Sequence, residues 1–260
     1  MLNVLSLGGG VQSTCLLLKC CDDEFQHPDI VIFSDTGSEL PATYDTIKKC
    51  QALCEHHGIK FEIVKNWFGE ESVIPGSTPL HEWYGKRGML PMVGQPRCTF
   101  NWKINPIRRA AKKIIGSDWK PGKVTCTMWI GITTDERSRA EHKPDIQWAV
   151  NRYPLLEMNL SRDECISYLA SKGWSTTVKS GCFCCPYQAP KSWAKLRRNF
   201  PKLFAIARRM EEKAKANGIK RGLWGTRSIA AFDSDMTLDD YGLLEENDQA
   251  SCATSGGCFL

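Results

Sequence analysis

"LNVLSLGGGVQST", residues 2–14, sets a short apolar run directly against three glycines, then a serine and a threonine. The spacing predicts a buried strand over 2–7, a tight turn at the glycines and a helix over 13–21. A glycine turn from strand into helix lets backbone N–H groups approach phosphate oxygens, helped by the positive end of the helix dipole. Ser13 and Thr14 add hydroxyl donors. The loop lacks the lysine of a Walker pattern, and Gln12 and Ser13 stand where a dinucleotide fingerprint would end. Taken alone, the glycines read equally well as a tight turn.

The residues that follow repeat the alternation. "DIVIFSDTG" (29–37) predicts a second strand ending at Asp35, "PATYDTIKKCQALCEHHG" (41–58) a helix with Pro41 in its first turn and Gly58 past its end, and "KFEIV" (60–64) a third strand. Such alternation predicts an α/β fold, a Rossmann-like doubly wound parallel sheet. Ligands of these sheets bind at the carboxyl ends of the strands, where the glycine loop and Asp35 fall. Residues 66–95, rich in Gly, Pro and aromatics, are expected to form an insertion or lid. Residues 104–115 predict a helix, and "KVTCTMWIGITTDE" (123–136) a fourth strand running into a polar loop. "SRDECISYLASKG" (161–173) predicts a helix in which Ser161 and Glu164 have capping-box spacing. Beyond the cysteine-rich "SGCFCCPYQ" (180–188) comes a basic helical region broken at Pro201, then an acidic tail from Ser234. The expected organisation is a nucleotide-binding α/β domain over 1–178 and, over 179–260, the cysteine-rich loop with a C-terminal helical appendage.

A chain of 260 residues is long enough for one large or two small cores. No apolar stretch approaches the roughly 18 residues that span a bilayer, and no secretory pattern is evident, so no membrane association and a cytoplasmic location are expected. The net charge of +5 permits an anionic substrate, although a solvated basic surface has the same composition. Thirteen cysteines cannot all pair, and a reducing compartment leaves them as thiols or as ligands of a metal or cluster. Cys50, Cys54 and His57 share a helical face with Tyr44 and Ile47 and read as core, as do Cys15, Cys20, Cys21, Cys126 and Cys165. Cys182 and Cys185 are different. Their CxxC spacing in a loop lets two thiolates converge on one metal or cluster edge. Tetrahedral zinc usually takes two such knuckles, and the sequence has no second one; iron–sulfur clusters are equally thiolate-bound. Between residues 191 and 227 basic side chains interleave with Trp193, Phe200, Phe204 and Trp224, a pattern shared by nucleic-acid-binding faces and by amphipathic helices with aromatics turned to the core.

"GGGVQST" followed by "FSDTGSELPATY" (33–44) resembles the PP-loop ATP pyrophosphatase superfamily, in its phosphoadenosine-phosphosulfate-reductase-like branch. "RCTFNWKINPI" (97–107), "WIGITTDERSR" (129–139), "NRYPLL" (151–156) and "SGCFCCP" (180–186) continue the resemblance in order. It implies an ATP site formed by Gly8, Gly9, Gly10, Gln12, Ser13, Thr14 and Gly131, with Asp35 near the ribose or Mg2+. Ser13, Asp35, Lys103, Asp135 and Arg139 become the candidate catalytic residues. ATP is then cleaved between the α- and β-phosphates, adenylylating a substrate so that sulfur displaces AMP. Many relatives read Ser-Gly-Gly-Lys-Asp-Ser where Val11 and Gln12 stand here, so one cation is missing; Arg97, Lys103, Arg137 and Arg139 are candidate replacements. The resemblance also implies a [4Fe–4S] cluster on Cys98, Cys182 and Cys185, with Cys184, Cys252 or Cys258 as a candidate fourth ligand. DNA phosphorothioation and tRNA thiolation both suit this reading. It implies a nucleic-acid substrate, DNA or tRNA, with a cysteine desulfurase or other sulfur donor as partner, and is compatible with a homodimer. Two other readings keep the fold: a phosphoadenosine phosphosulfate or adenylylsulfate reductase using a tail cysteine, and a non-catalytic nucleotide-binding subunit.

Overall fold

The computed structural model describes residues 1–65, 78–94, 97–118, 120, 122–141, 146–174, 180–225 and 227–233. The acidic tail with Cys252 and Cys258, and residues 66–77 of the expected lid, lie outside them. Five strands, β1 (Leu2–Leu7), β2 (Ile30–Asp35), β3 (Lys60–Lys65), β4 (Cys126–Ile130) and β5 (Ala149–Arg152), form one parallel sheet in the order β3–β2–β1–β4–β5. Around it stand α1 (Val11–Cys21), α2 (Pro41–His56), α3 (Leu80–Arg87), α4 (Asn105–Ile115), α5 (Arg162–Ser171), α6 (Pro190–Asn199) and α7 (Pro201–Ala216).

Side chains alternate across a strand, so one strand feeds two layers. Leu5, Leu7, Val31, Phe33 and Trp129 share a core with Leu16 and Leu17 of α1, Ile47 and Cys50 of α2, and Cys165 and Leu169 of α5. Val4, Ile30, Ile32 and Met128 face the other way, onto Ile107, Ala110, Ala111 and Ile115 of α4. Register agrees with this division: Leu5 pairs with both Val31 and Trp129, and Val4 with both Ile30 and Met128. Helices on both faces make the sheet doubly wound, as the alternation predicts. The strand order reverses between β1 and β4, which opens a ligand crevice at their carboxyl ends. Among the described residues no helix is long and apolar enough to cross a membrane.

Local signals explain most boundaries. Pro41 and Pro201 open α2 and α7, where a missing N–H costs nothing. Ser161 and Glu164 form a full capping box on α5. Ahead of α4 the chain makes a π-helical turn, Phe100–Ile104. Pro106 has no N–H for the carbonyl of Trp102 four residues back, and that carbonyl instead accepts a hydrogen bond from Ser34 Oγ of β2 at 2.6 Å. The turn that carries Lys103 is thereby fixed to the sheet. Strand β5 is absent from the sequence reading because "AVNR" is four residues long and only Ala149 is fully buried.

A second core lies beside the sheet. Leu80 and Tyr84 of α3, Leu90 and Trp102 join Phe183, Trp193, Phe204, Met210, Leu223 and Phe232. Residues 78–94 are therefore packed rather than lid-like. Leu80, Tyr84, Leu90 and Trp102 thus share this core with side chains of the cysteine loop and of the helices that follow it.

Glu211 of α7 fastens the end of this core. Its buried carboxylate accepts hydrogen bonds from Leu223 N at 2.8 Å, Ile229 N at 3.1 Å, Ser228 Oγ at 2.5 Å and Arg208 Nη1 at 3.1 Å. Glu211→Ala strands these donors and is expected to cost about 3 kcal/mol in urea unfolding, with Glu211→Gln costing clearly less. Equal unfolding midpoints for wild type and Glu211→Ala would contradict the clamp.

Candidate nucleotide and thiol site

Residues 8–10 leave β1 and turn into α1, with Gly9 at φ +68°, a conformation that favours glycine. Ser13 braces the turn from within: its Oγ accepts from Gly8 N at 3.1 Å and donates to Gly10 O at 3.5 Å. Gly10 is the N-cap of α1 and contributes no side-chain cap, so the positive end of the helix is open to an anion. Gly131, just past β4, forms the opposite wall. A Cβ there would stand 2.8 Å from Ser13 N and 3.0 Å from Ser13 Cα, which only glycine allows. Thr14 departs from expectation. It is fully buried beside the Cys50 thiol, because with Val11, Cys15 and Leu18 it forms the inward stripe of α1. Its hydroxyl is not at the mouth of the loop.

Asp35 ends β2 on the same edge of the sheet. Its Oδ1 accepts from Gly37 N and from Tyr44 Oη, both at 2.8 Å, while Oδ2 lies 4.0 Å from Lys65 Nζ. The next residues run antiparallel to the cysteine loop: Leu40 N donates to Gly181 O at 3.2 Å and Phe183 N to Ser38 O at 2.9 Å. Ser180, at the start of that loop, has its Oγ 2.7 Å from where a Gly10 Cβ would project. Glycine loop, Asp35 segment and cysteine loop thus share one wall.

Glu39, not singled out in the sequence, lies at the centre of that wall. It is buried, its Oε1 accepts from Thr36 Oγ1 at 3.0 Å, and Lys103 Nζ stands 3.5 Å away. The Cys182 thiol reaches the same oxygen at 3.7 Å and Thr36 Oγ1 at 3.3 Å. Glu39 Oε2 is buried without a hydrogen-bond partner among the described residues. An acidic residue in a run of small polar ones was the available signal. Beside it, Ser38 Oγ bonds His81 Nδ1 at 2.8 Å, and burial holds the His81 imidazole below its usual range.

Cys182 and Cys184 are buried in the second core, and Cys98 and Cys185 pack against it. Burial pushes the Cys182 and Cys184 thiols well above the usual range. For Cys184 the neighbouring sulfurs of Cys185 and Cys98 add to this. Such thiols ionise only with a compensating cation, which a metal supplies. Among the described residues no three His, Cys, Asp or Glu side chains are placed to hold one metal ion. Four thiols on one apolar wall match the donor chemistry of an iron–sulfur cluster, where each thiolate binds a different iron. Cys21, Cys50 and Cys54 belong to the sheet's own core, where burial raises Cys21 to about 11 and Cys50 and Cys54 to about 12.

Beyond the loop, the residues expected from "WIGITTDERSR" form a hydrogen-bonded frame. Arg139 Nη1 binds Glu136 Oε2 at 2.7 Å, and Gln12 Nε2 donates to the same oxygen at 3.4 Å. Asp135 accepts from Arg162 N at 2.6 Å, at the start of α5. Arg97 and Arg137 are exposed. A cavity of about 610 Å³ opens at the other end of the sheet, among Leu2, Asp29, Lys60 and Thr125. It lies at the amino ends of the strands, away from every group above.

No family model matches the chain. Over 162 residues it is 27% identical to the uncharacterized nin region protein ORF290 of Escherichia phage lambda, a match covering 57% of this chain and 53% of that protein. The chain thus spans about half the length of the curated relative it matches. Among solved structures it is similar to the U34-tRNA thiolase NcsA from Methanococcus maripaludis with its [4Fe–4S] cluster, at 16% identity and a TM-score of 0.37, covering 94% of this chain and 83% of that one.

Proposed function

We propose that this chain is an ATP pyrophosphatase of PP-loop type that adenylylates a substrate for sulfur incorporation, with nucleic acid as the substrate class. The observation that carries this reading is the main-chain pairing of residues 38–40 with 181–183, which brings the cysteine loop, through Ser180, beside the open end of α1. A plain nucleotide-binding domain has no need of thiols against its phosphate loop. Residues from four of the five ordered motifs, the glycine loop with the Asp35 segment, Lys103, Gly131 and the cysteine loop, lie on this edge of the fold.

In this reading the open first turn of α1 takes the phosphate chain, with Gly131 keeping β4 close enough to complete the cradle. Asp35 is the carboxylate for Mg2+ or the ribose. An oxygen of the substrate attacks the α-phosphorus, the α–β bridge breaks, and pyrophosphate leaves. Cys98, Cys182 and Cys185 hold the cluster, with Cys184 as the fourth candidate on the same wall. When bound, the cluster supplies a metal centre through which sulfur reaches the activated atom. Lys103, 3.5 Å from Glu39 on this wall, is in this reading a catalytic cation of the site.

Charge supports a nucleic-acid substrate; stacking does not. Lys195, Arg198, Lys202, Arg209, Lys213 and Lys215 are exposed along α6 and α7. Of the aromatics for which a stacking face and an amphipathic helix are equally open in the sequence, Trp193 and Phe204 are buried in the second core, so the amphipathic explanation holds for them, and Phe200 and Trp224 are partly buried against it. Arg208 is tied to Glu211, Glu212 and Asp233. What remains is a basic face whose binding must weaken steeply with salt.

Protein purified without oxygen is expected to carry about four irons and matching sulfide per chain, lost in Cys185→Ala, and to convert ATP to AMP and pyrophosphate when substrate is present. Formation of ADP and phosphate, or a colourless protein without iron, would overturn the reading. Sulfite released from phosphoadenosine phosphosulfate would favour the reductase instead. Gly131→Ala is expected to weaken ATP binding about tenfold, because the new methyl group pushes the first turn of α1 away from β4. Calorimetric titration measures this, and unchanged affinity would remove Gly131 from the site.

A further inference from the structure

The glycine loop has no lysine, and two of the four cations expected to replace it face carboxylates: Arg139 is held by Glu136 at 2.7 Å and Lys103 faces Glu39 at 3.5 Å. Arg97 and Arg137 are exposed, and Lys65, at the end of β3, stands 4.0 Å from Asp35. A helix end alone contributes about half a unit of positive charge. The chain of phosphates in a nucleoside triphosphate carries far more than that.

One half-buried guanidinium at the loop has no such partner. Arg162, the first residue of α5, donates from Nη1 to Gln12 Oε1 at 3.0 Å, and no carboxylate pairs with its side chain among the described residues. Gln12 lies in the first turn of α1, within the proposed phosphate cradle. Its amide is held at both ends, with Nε2 on Glu136 and Oε1 on Arg162, so Gln12 acts as a bracket for the guanidinium. The backbone of Arg162 is fixed independently by Asp135. One donor of the guanidinium is engaged; the planar group has four more, in a geometry that suits phosphate oxygens.

We propose that Arg162 is a phosphate-binding residue of the nucleotide site, delivered from α5 by Gln12 in the place of a loop lysine. The proposal rests on the nucleotide reading above. It assigns Arg162 to the β- and γ-phosphates, so this residue selects nucleoside triphosphates over monophosphates. Gln12 is then a positioning residue that acts through Arg162.

The test is calorimetric titration of ATP and AMP into the wild-type protein, Arg162→Gln, Arg162→Lys and Gln12→Ala, with thermal unfolding of each. Arg162→Gln is expected to weaken ATP about tenfold or more while AMP changes less than about twofold. Arg162→Lys should recover part of the loss, and Gln12→Ala should follow Arg162→Gln to a smaller extent. A merely structural tie between α1 and α5 would lower the unfolding temperature and weaken both nucleotides in parallel; that result overturns the proposal. So does wild-type ATP affinity in Arg162→Gln. A wild-type protein that binds neither nucleotide overturns the nucleotide reading itself, and this inference with it.

Discussion

Two backbone hydrogen bonds, Leu40 N to Gly181 O and Phe183 N to Ser38 O, join the segment that follows β2 to the cysteine loop. They extend the chain past Asp35 along that loop, so a segment more than 140 residues later in sequence becomes a neighbour of the glycine loop. Main-chain pairing fixes register as well as proximity. With that register set, Cys182 faces Thr36 and Glu39, and Phe183 lies against His81. The second core then has a fixed edge on which to assemble, and it draws in α3, the π-helical turn and both basic helices.

The sheet and most helix limits were legible because they rest on short-range patterns. Glycines 8–10, Asp35 at a strand end, Pro41, Pro201 and the Ser161–Glu164 box each declare themselves within a few residues. Strand β5 did not, since a four-residue edge strand with one buried side chain has no periodicity to detect. The inward position of Thr14 was available from the spacing of Val11, Thr14, Cys15 and Leu18, but a hydroxyl next to a glycine loop invited the wrong face. Glu39 showed only as an acidic residue in a run of small polar ones, and Arg162 was not legible. Each has its meaning from residues far away in sequence: Lys103 and Cys182 for the one, Gln12 and Asp135 for the other. The aromatics of the basic region were ambiguous because a stacking platform and a core stripe have the same helical spacing, and only packing distinguishes them.

Charge at the site is arranged in pairs and brackets rather than as free ions. Asp35 is oriented by a backbone N–H and a tyrosine hydroxyl, Glu39 by a threonine and a lysine, and Glu136 by an arginine and a glutamine. Such second contacts hold rotamers in place before a ligand arrives, which lowers the entropy lost on binding. The buried Glu39 oxygen that lacks a hydrogen-bond partner among the described residues is the exception, and Glu39 is the residue that the Cys182 thiol and Lys103 both approach.

The closeness of Gly131 to the first turn of α1 bears on the order in which the molecule assembles on the ribosome. The glycines of the loop are among the first residues made, yet their opposite wall is more than 120 residues downstream. Strand β1, at the centre of the sheet, can pair with β2 early but waits for β4 on its other side. Parallel pairings of such long sequence separation form slowly, because the chain must close a long loop before the contact repays it. A nascent chain therefore carries strand, turn and helix well before it carries the wall opposite the glycines, and the loop is complete only after β4 has emerged.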